Sequence, residues 1–253
     1  MKFKMKVLFL TLFVFLVTNS VTFAGMFGPL SSTSEPGRIS LAAGYDYISE
    51  NWSLDKIGGD NPQTSQHQLF GQVEMGLIKN WRVYARGGYA DWEVDNAFRF
   101  SNDSSSSGFL PFGTAGIGGP VLTNRYVEIG PFVQGSYFSL YDDSTSVTTA
   151  QGTGTEKVYF DNAWEINAGL AFQLQMEGAY LYGGPFYFKG KSKYRSVTTV
   201  SGNTSVQSSD MKEENSVGAY LGVRWPFKNG LSLEVEAQYK SDVSVGTLVN
   251  YNF

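Results

Sequence analysis

From Gly37 to Phe253 the chain alternates apolar and polar residues with a period of two, in long runs separated by polar links. Successive side chains of a strand point to opposite faces, so this pattern marks strands with one apolar and one polar face. No helical period is sustained after residue 24. Ten strands are expected, at about 37–48, 66–78, 81–92, 109–122, 125–141, 158–175, 178–190, 213–225, 231–240 and 243–253. Most are 10–14 residues long, against about 5–6 in globular proteins. A tilted strand needs roughly 9–11 residues to cross a bilayer.

The links alternate in length. Residues 49–65, 93–108, 142–157 and 191–212 are long, and carry runs such as SNDSSSSG, DDSTSVTTAQGTGT and TTVSGNTSVQSSD. Their Ser, Thr and Gly content reads as mobile loop. The links at Lys79-Asn80, Thr123-Asn124, Met176-Glu177 and Pro226–Gly230 are short. Lys240–Asp242 is a short link on the long-loop side. The segment FLPFGTAGIGGPVL has two prolines and weak alternation, so eight and twelve strands also fit the pattern.

Alternation shows an apolar face but not its direction, so the polar face has to decide. In 217–225, Val217, Ala219, Leu221, Val223 and Trp225 oppose Gly218, Tyr220, Gly222 and Arg224. In 231–239, Leu231, Leu233, Val235, Ala237 and Tyr239 oppose Ser232, Glu234, Glu236 and Gln238. Gly44, Gly76, Gly88, Gly130, Gly169, Gly218, Gly222 and Gly246 also fall on the polar face. Glycine weakens a strand and gains nothing on a solvent-washed face, but it relieves crowding inside a narrow closed sheet. The expected fold is therefore all-β: an antiparallel up-and-down transmembrane β-barrel spanning 37–253, apolar side out.

Ahead of the barrel, MKFKMKVLFLTLFVFLVTNSVTFA has three lysines, an 11-residue apolar run from Val7 to Val17, and Thr22 and Ala24 at the −3 and −1 positions. This reads as a signal peptide of residues 1–24, cleaved before Gly25, because a spanning helix needs about 20 apolar residues. Residues 25–36, GMFGPLSSTSEP, read as a flexible periplasmic lead-in. The chain has no Cys, which excludes disulfides, thiol chemistry and a lipid-bearing cysteine. Without the leader, 16 basic and 23 acidic residues remain, a net charge of −7 that disfavours nucleic acid as a partner.

Trp81, Tyr180, Tyr182, Trp225, Tyr239, Tyr251 and Phe253 fall near strand ends and read as interfacial girdles on the apolar face. The last strand, VSVGTLVNYNF, alternates through Val243, Val245, Thr247, Val249, Tyr251 and Phe253 and stops on the aromatic. This resembles the C-terminal strand of bacterial outer-membrane proteins, and the architecture is similar to that of the small OmpA-like barrels. The resemblance implies residence in the bacterial outer membrane. It also implies recognition of Tyr251 and Phe253 by the barrel-assembly machinery, and outer-membrane lipid as partner. Register agrees across two hairpins: pairing Tyr239 with Val243, or Trp225 with Leu231, sets outward residues against outward residues.

Inward positions carry Glu74, Arg82, Arg86, Glu128, Glu165, Arg224, Glu234 and Glu236. Charges in a low dielectric must pair. Glu74 is expected diagonal to Arg82 and Arg86, and Arg224 diagonal to Glu234. The favoured reading is a Glu/Arg network that fills the lumen of a structural or surface-interaction barrel, with the long loops meeting an extracellular ligand. The alternative is a narrow, weakly cation-preferring pore for ions or small solutes. His67 lacks the Asp-x-His and His-x-Ser settings used by outer-membrane proteases and lipid A deacylases, so no enzyme is expected. The acids of Asp91–Asp103 lack calcium-loop spacing, and no metal or cofactor is expected.

Overall fold

The computed structural model describes residues 25–31, 36–54, 62–98, 103–139, 141–149, 152–213 and 216–253. The signal peptide expected at 1–24 lies outside the described residues. Thirteen strands form among the described residues: β1 (Ile39–Leu54), β2 (Gln63–Gly76), β3 (Arg82–Val94), β4 (Ser105–Gly118), β5 (Leu122–Thr123), β6 (Val127–Phe138), β7 (Tyr141–Thr149), β8 (Gly152–Met176), β9 (Ala179–Val200), β10 (Asn203–Glu213), β11 (Val217–Pro226), β12 (Leu231–Tyr239) and β13 (Val243–Asn252). Ten of them close an antiparallel ring in the order β1-β2-β3-β4-β6-β8-β9-β11-β12-β13, with β13 back on β1. Closure leaves no unpaired edge, which is what a sheet needs to sit in lipid.

The burial pattern is inverted relative to a soluble protein. Along β2, Gln66, Gln68, Gln72 and Glu74 are buried, while Leu69 and Val73 are 53% and 49% exposed. The same outward apolar face carries Val133, Ile166, Leu170, Leu221 and Val249. Tyr126, Phe227, Tyr251 and Phe253 are exposed at the short-turn end. Tyr45, Tyr89, Tyr137, Tyr187 and Tyr239 are exposed towards the other end, giving two aromatic girdles.

Inside, glycines face rings. A Cβ on Gly44 would lie 2.5 Å from the Phe70 ring, and one on Gly169 would lie 2.6 Å from Phe132. Gly116 and Gly222 stand under Tyr84 and Tyr182 in the same way. The inward glycines therefore make room for inward aromatics in a ring this narrow.

Several sequence expectations need correction. Tyr180 and Tyr182 do not belong to the outward girdle. They share the inward face of β9 with Phe186 and Phe188, opposite Arg224 and Gly222. Both faces of this strand are apolar, so hydropathy alone cannot orient it. The β12–β13 register is as expected, with Tyr239 on Val243. The β11–β12 register differs by two: Trp225 pairs with Leu233, and Arg224 stands directly opposite Glu234. Phe227 N–H bonds the Leu231 carbonyl at 2.7 Å, and Asn229, at φ 70°, takes the apex of this turn.

The links at 142–157 and 191–212 are not mobile loops where described. β7 pairs with the upper part of β8, and β10 pairs with the upper part of β9 and the end of β1. Strands β8 and β9, of 25 and 22 residues, run unbroken from the short-turn end into this sheet. The sheet encloses a second core of Trp52, Trp92, Tyr141, Val158, Phe160, Tyr194 and Met211. Residues 25–31 are not a flexible lead-in either: Met26, Phe27 and Leu30 are buried inside the barrel.

Placing a charge on the outward face tests its direction. Val73→Arg is expected to cost about 2–4 kcal/mol of stability in lipid if it faces the bilayer midplane. Urea unfolding of the barrel in vesicles measures this, and a change below about 1 kcal/mol would contradict an apolar-out ring.

Candidate functional site

Among the described residues, side chains of the ring and the backbone of residues 25–31 form four layers on the lumenal side. At the short-turn mouth, Glu128 accepts hydrogen bonds from Gln173 Nε2, at 2.8 Å, and from Ser31 Oγ. A cavity of about 430 Å3 opens here, lined by Glu128, Gln173, Tyr180 and Arg224 among others. Next, Arg224 meets Glu234 across the β11–β12 pair, with Nε and Nη2 to one carboxylate oxygen at 2.8 and 2.5 Å. Both side chains are 1% exposed.

The third layer holds the N-terminal segment. Arg82 bridges Glu74 at 3.0 Å and also donates to the Phe27 carbonyl. Arg86 donates to Gln72 at 2.6 Å and to the Met26 carbonyl, and its guanidinium lies over the Phe70 and Tyr84 rings. Glu236 accepts the backbone N–H groups of Phe27 and Gly28, both at 2.7 Å. The Phe27 ring seats among Phe132, Phe186 and Tyr220, with centroids 4.5, 4.8 and 5.1 Å away. Gly28 has φ +75°, and its Cβ position lies 3.1 Å from the Arg82 guanidinium, so a larger residue would be strained there and would press on Arg82.

The fourth layer centres on Lys240. Its ammonium reaches Glu50 at 2.5 Å, Glu165 at 2.6 Å and Glu213 at 3.4 Å. The ammonium fills the position that the three carboxylates would otherwise offer to a cation. Cavities beside this layer measure only about 20 and 10 Å3, and one water needs about 10–15 Å3.

The eight charges read as inward from the sequence all lie on the lumenal side, but they do not form one network. Glu74 pairs with Arg82 and Arg224 with Glu234; Arg86 and Glu236 instead hold backbone of the N-terminal segment. Glu165 belongs to a cluster whose other members, Glu50, Glu213 and Lys240, were not foreseen. The signal for Lys240 was present: it continues the inward phase Ser232, Glu234, Glu236, Gln238 by one more step. Glu50 likewise continues Gly44 and Asp46 beyond the point where β1 was expected to end. His67 lies on the outward side, where Nδ1 shares a 2.7 Å hydrogen bond with Tyr45 Oη and the ring packs on Tyr47 at 4.5 Å.

Breaking one buried pair should be costly. Arg224→Met alone strands Glu234 and is expected to destabilise the barrel by about 3–5 kcal/mol. Arg224→Met with Glu234→Met should recover most of that loss, because two apolar side chains replace a desolvated pair. Urea midpoints of the single and double variants read this directly.

No protein-family model matches the chain, and no curated protein matches it. Solved structures do. The translocator domain of the autotransporter NalP from Neisseria meningitidis is similar with a TM-score of 0.50 at 14% identity, over 88% of this chain and 90% of that one. The outer membrane protease OmpT from Escherichia coli gives a TM-score of 0.44 at 12% identity, over 86% and 96%. The transport unit of the autotransporter AIDA-I from Escherichia coli gives 0.41 at 12%, over 91% and 94%. At such identities the likeness is one of fold.

Proposed function

We propose, on the premise of a ten-stranded transmembrane barrel of the bacterial outer-membrane type, that this protein is a lipid-anchored, non-enzymatic barrel with a structural or surface-interaction role and a closed lumen. The observation that supports it most is the lumen itself. Residues 25–31, the Arg/Glu pairs and the Lys240 cluster occupy its successive layers, and the aromatic core of the β7–β10 sheet lies beyond them. Barrels of this width are commonly filled by side chains, while aqueous channels belong to those of 16–18 strands. The pore alternative would need residues 25–31 to leave and the Arg224–Glu234 and Lys240 layers to part. In this reading Tyr251 and Phe253 on the outward face of β13 act as the assembly signal.

The interaction surface we favour is the flank of the β7–β10 sheet. Lys189, Lys191, Lys193 and Arg195 follow one another on the outward face of β9, directly beyond Tyr187 in the aromatic girdle. Lys157 and Lys212 stand on the neighbouring strands, opposite Val197 and Lys191. Lys157 and Lys191 bridge Asp142 and Asp210, and the basic ladder that continues past them, just beyond the girdle, suits anionic lipid headgroups by charge and by height.

Two measurements test these readings. In planar bilayers the barrel of residues 25–253 is expected to be silent, and deletion of residues 25–31 should lower its urea midpoint without opening steady steps, because the Arg224–Glu234 and Lys240 layers remain. Steady, cation-selective steps from the intact barrel would favour the pore. Lys193→Glu with Arg195→Glu should weaken binding to vesicles containing anionic lipid at least several-fold at low salt. Unchanged binding would remove the ladder from the account.

A further inference from the structure

Residues 25–31 run inward from the short-turn mouth with Gly25 as their deepest residue. Ser31 lies at Glu128, Phe27 and Gly28 lie on Glu236, and Met26 lies at Asp46. The Gly25 carbonyl takes Gln238 Nε2 at 2.6 Å. Asp46 is 1% exposed, yet its carboxylate is poorly met. Among the described residues, Oδ1 has no hydrogen-bond partner, and Oδ2 has only the Met26 N–H at 3.4 Å. A buried carboxylate without a close donor is costly.

The charge balance points the same way. In this layer Arg82 and Arg86 face Glu74, Glu236 and Asp46, an excess of one negative charge. Arg86 lies near enough to attract Asp46, but its hydrogen bonds go to Gln72 and to a backbone carbonyl and none reaches the Asp46 carboxylate. Gly25 stands beside the unmet group: its Cβ position is 3.9 Å from Asp46 Oδ2, and its nitrogen is one bond from the same α-carbon.

We propose that Asp46 forms a buried site for a primary ammonium group, and that its occupant is the α-amine of Gly25, released when the leader is removed after Ala24. Hydrolysis adds the water's hydroxyl to the Ala24 carbonyl carbon and a proton to the Gly25 nitrogen, and the new Ala24 carboxylic acid gives up its proton, which the amine takes. An amide nitrogen, which can carry no charge, becomes an ammonium. That ammonium brings one positive charge and three donors to Asp46 and neutralises the layer. Removal of the leader thereby creates the ion pair that seats the segment.

The proposal rests on cleavage after Ala24, and that step is checked on its own by the intact mass of the barrel recovered from membranes. A start at any residue other than Gly25 overturns the cleavage reading and the proposal with it. For the pairing itself, the recovered barrel is unfolded in urea and acetylated near pH 7, where the α-amine, with a pKa of about 8, reacts ahead of lysines near about 10.4. It is then refolded and compared with an untreated refolded control. The acetylated barrel is expected to unfold at lower urea than the control. Asp46→Asn should behave like the acetylated barrel, and acetylation should add nothing to it. In the folded control, the α-amine should react at least ten-fold more slowly than in the unfolded chain.

Equal midpoints for free and acetylated barrels overturn the ammonium site, as does an acetylation penalty that persists undiminished in Asp46→Asn. Should Asp46→Asn fail to refold, a chain lengthened by two residues before Gly25 moves the amine instead. Its α-amine is expected to react freely in the folded barrel, and protection equal to that of the control would overturn the site.

Discussion

Backbone amides in lipid have no water to bond, so the sheet must close on itself, and closure dictates nearly everything else in this molecule. A ring of ten strands leaves an interior too wide to collapse and too narrow to hold bulk water. The alternation that turns Leu69, Val73 and Leu221 towards lipid sends Gln72, Glu74 and Arg224 inward at every second step. Those groups then have to satisfy one another. The result is a stack of layers in which guanidinium meets carboxylate, glycine lies under aromatic ring, and one lysine serves three glutamates.

The N-terminal segment belongs to the same logic. Side chains on the ring cannot by themselves use every donor and acceptor they bring. Glu236 can accept more than Gln238 offers, and Arg82 and Arg86 have N–H groups beyond those used by Glu74 and Gln72. A strip of extended backbone supplies both N–H and C=O groups where they are needed, and Phe27 fills the hollow between three rings. What stands in the lumen is therefore a part of the polar core, built from backbone as well as side chains.

The barrel was largely legible in the sequence, because period-two alternation is a direct image of a strand with two different surroundings. The strand count and the β12–β13 register follow from it. Legibility failed where that contrast fades. On β9 the inward residues Tyr182, Phe186 and Phe188 are as apolar as the outward ones, so the phase could not be oriented. In the upper sheet, Ser and Thr fill both faces of β7 and β10, and their composition imitates a loop. The charged positions were recovered as inward, but a sequence cannot say which cation meets which anion once rotamers and turn apices decide. The β11–β12 turn, two residues out of the expected register, made Arg224 and Glu234 direct neighbours. Residues 25–31 were missed because their partners are spread round the ring, at Asp46, Gln173, Glu236 and Gln238, and no local pattern announces them.

That wide spread bears on timing. Phe27 and Gly28 bond to a residue 209 and 208 positions further along the chain, and Met26 to one only 20 away. The first piece of the described chain therefore meets Asp46, Arg82 and Arg86 early, but it is not fully held until β12 has arrived. Contacts of such high sequence separation are slow to form. The hairpins of the wall join neighbours and can zip in order, whereas the interior waits for β12. A barrel made this way passes through a stage with its wall nearly complete and its centre still unsettled, and the schedule of its maturation is set by its final two strands.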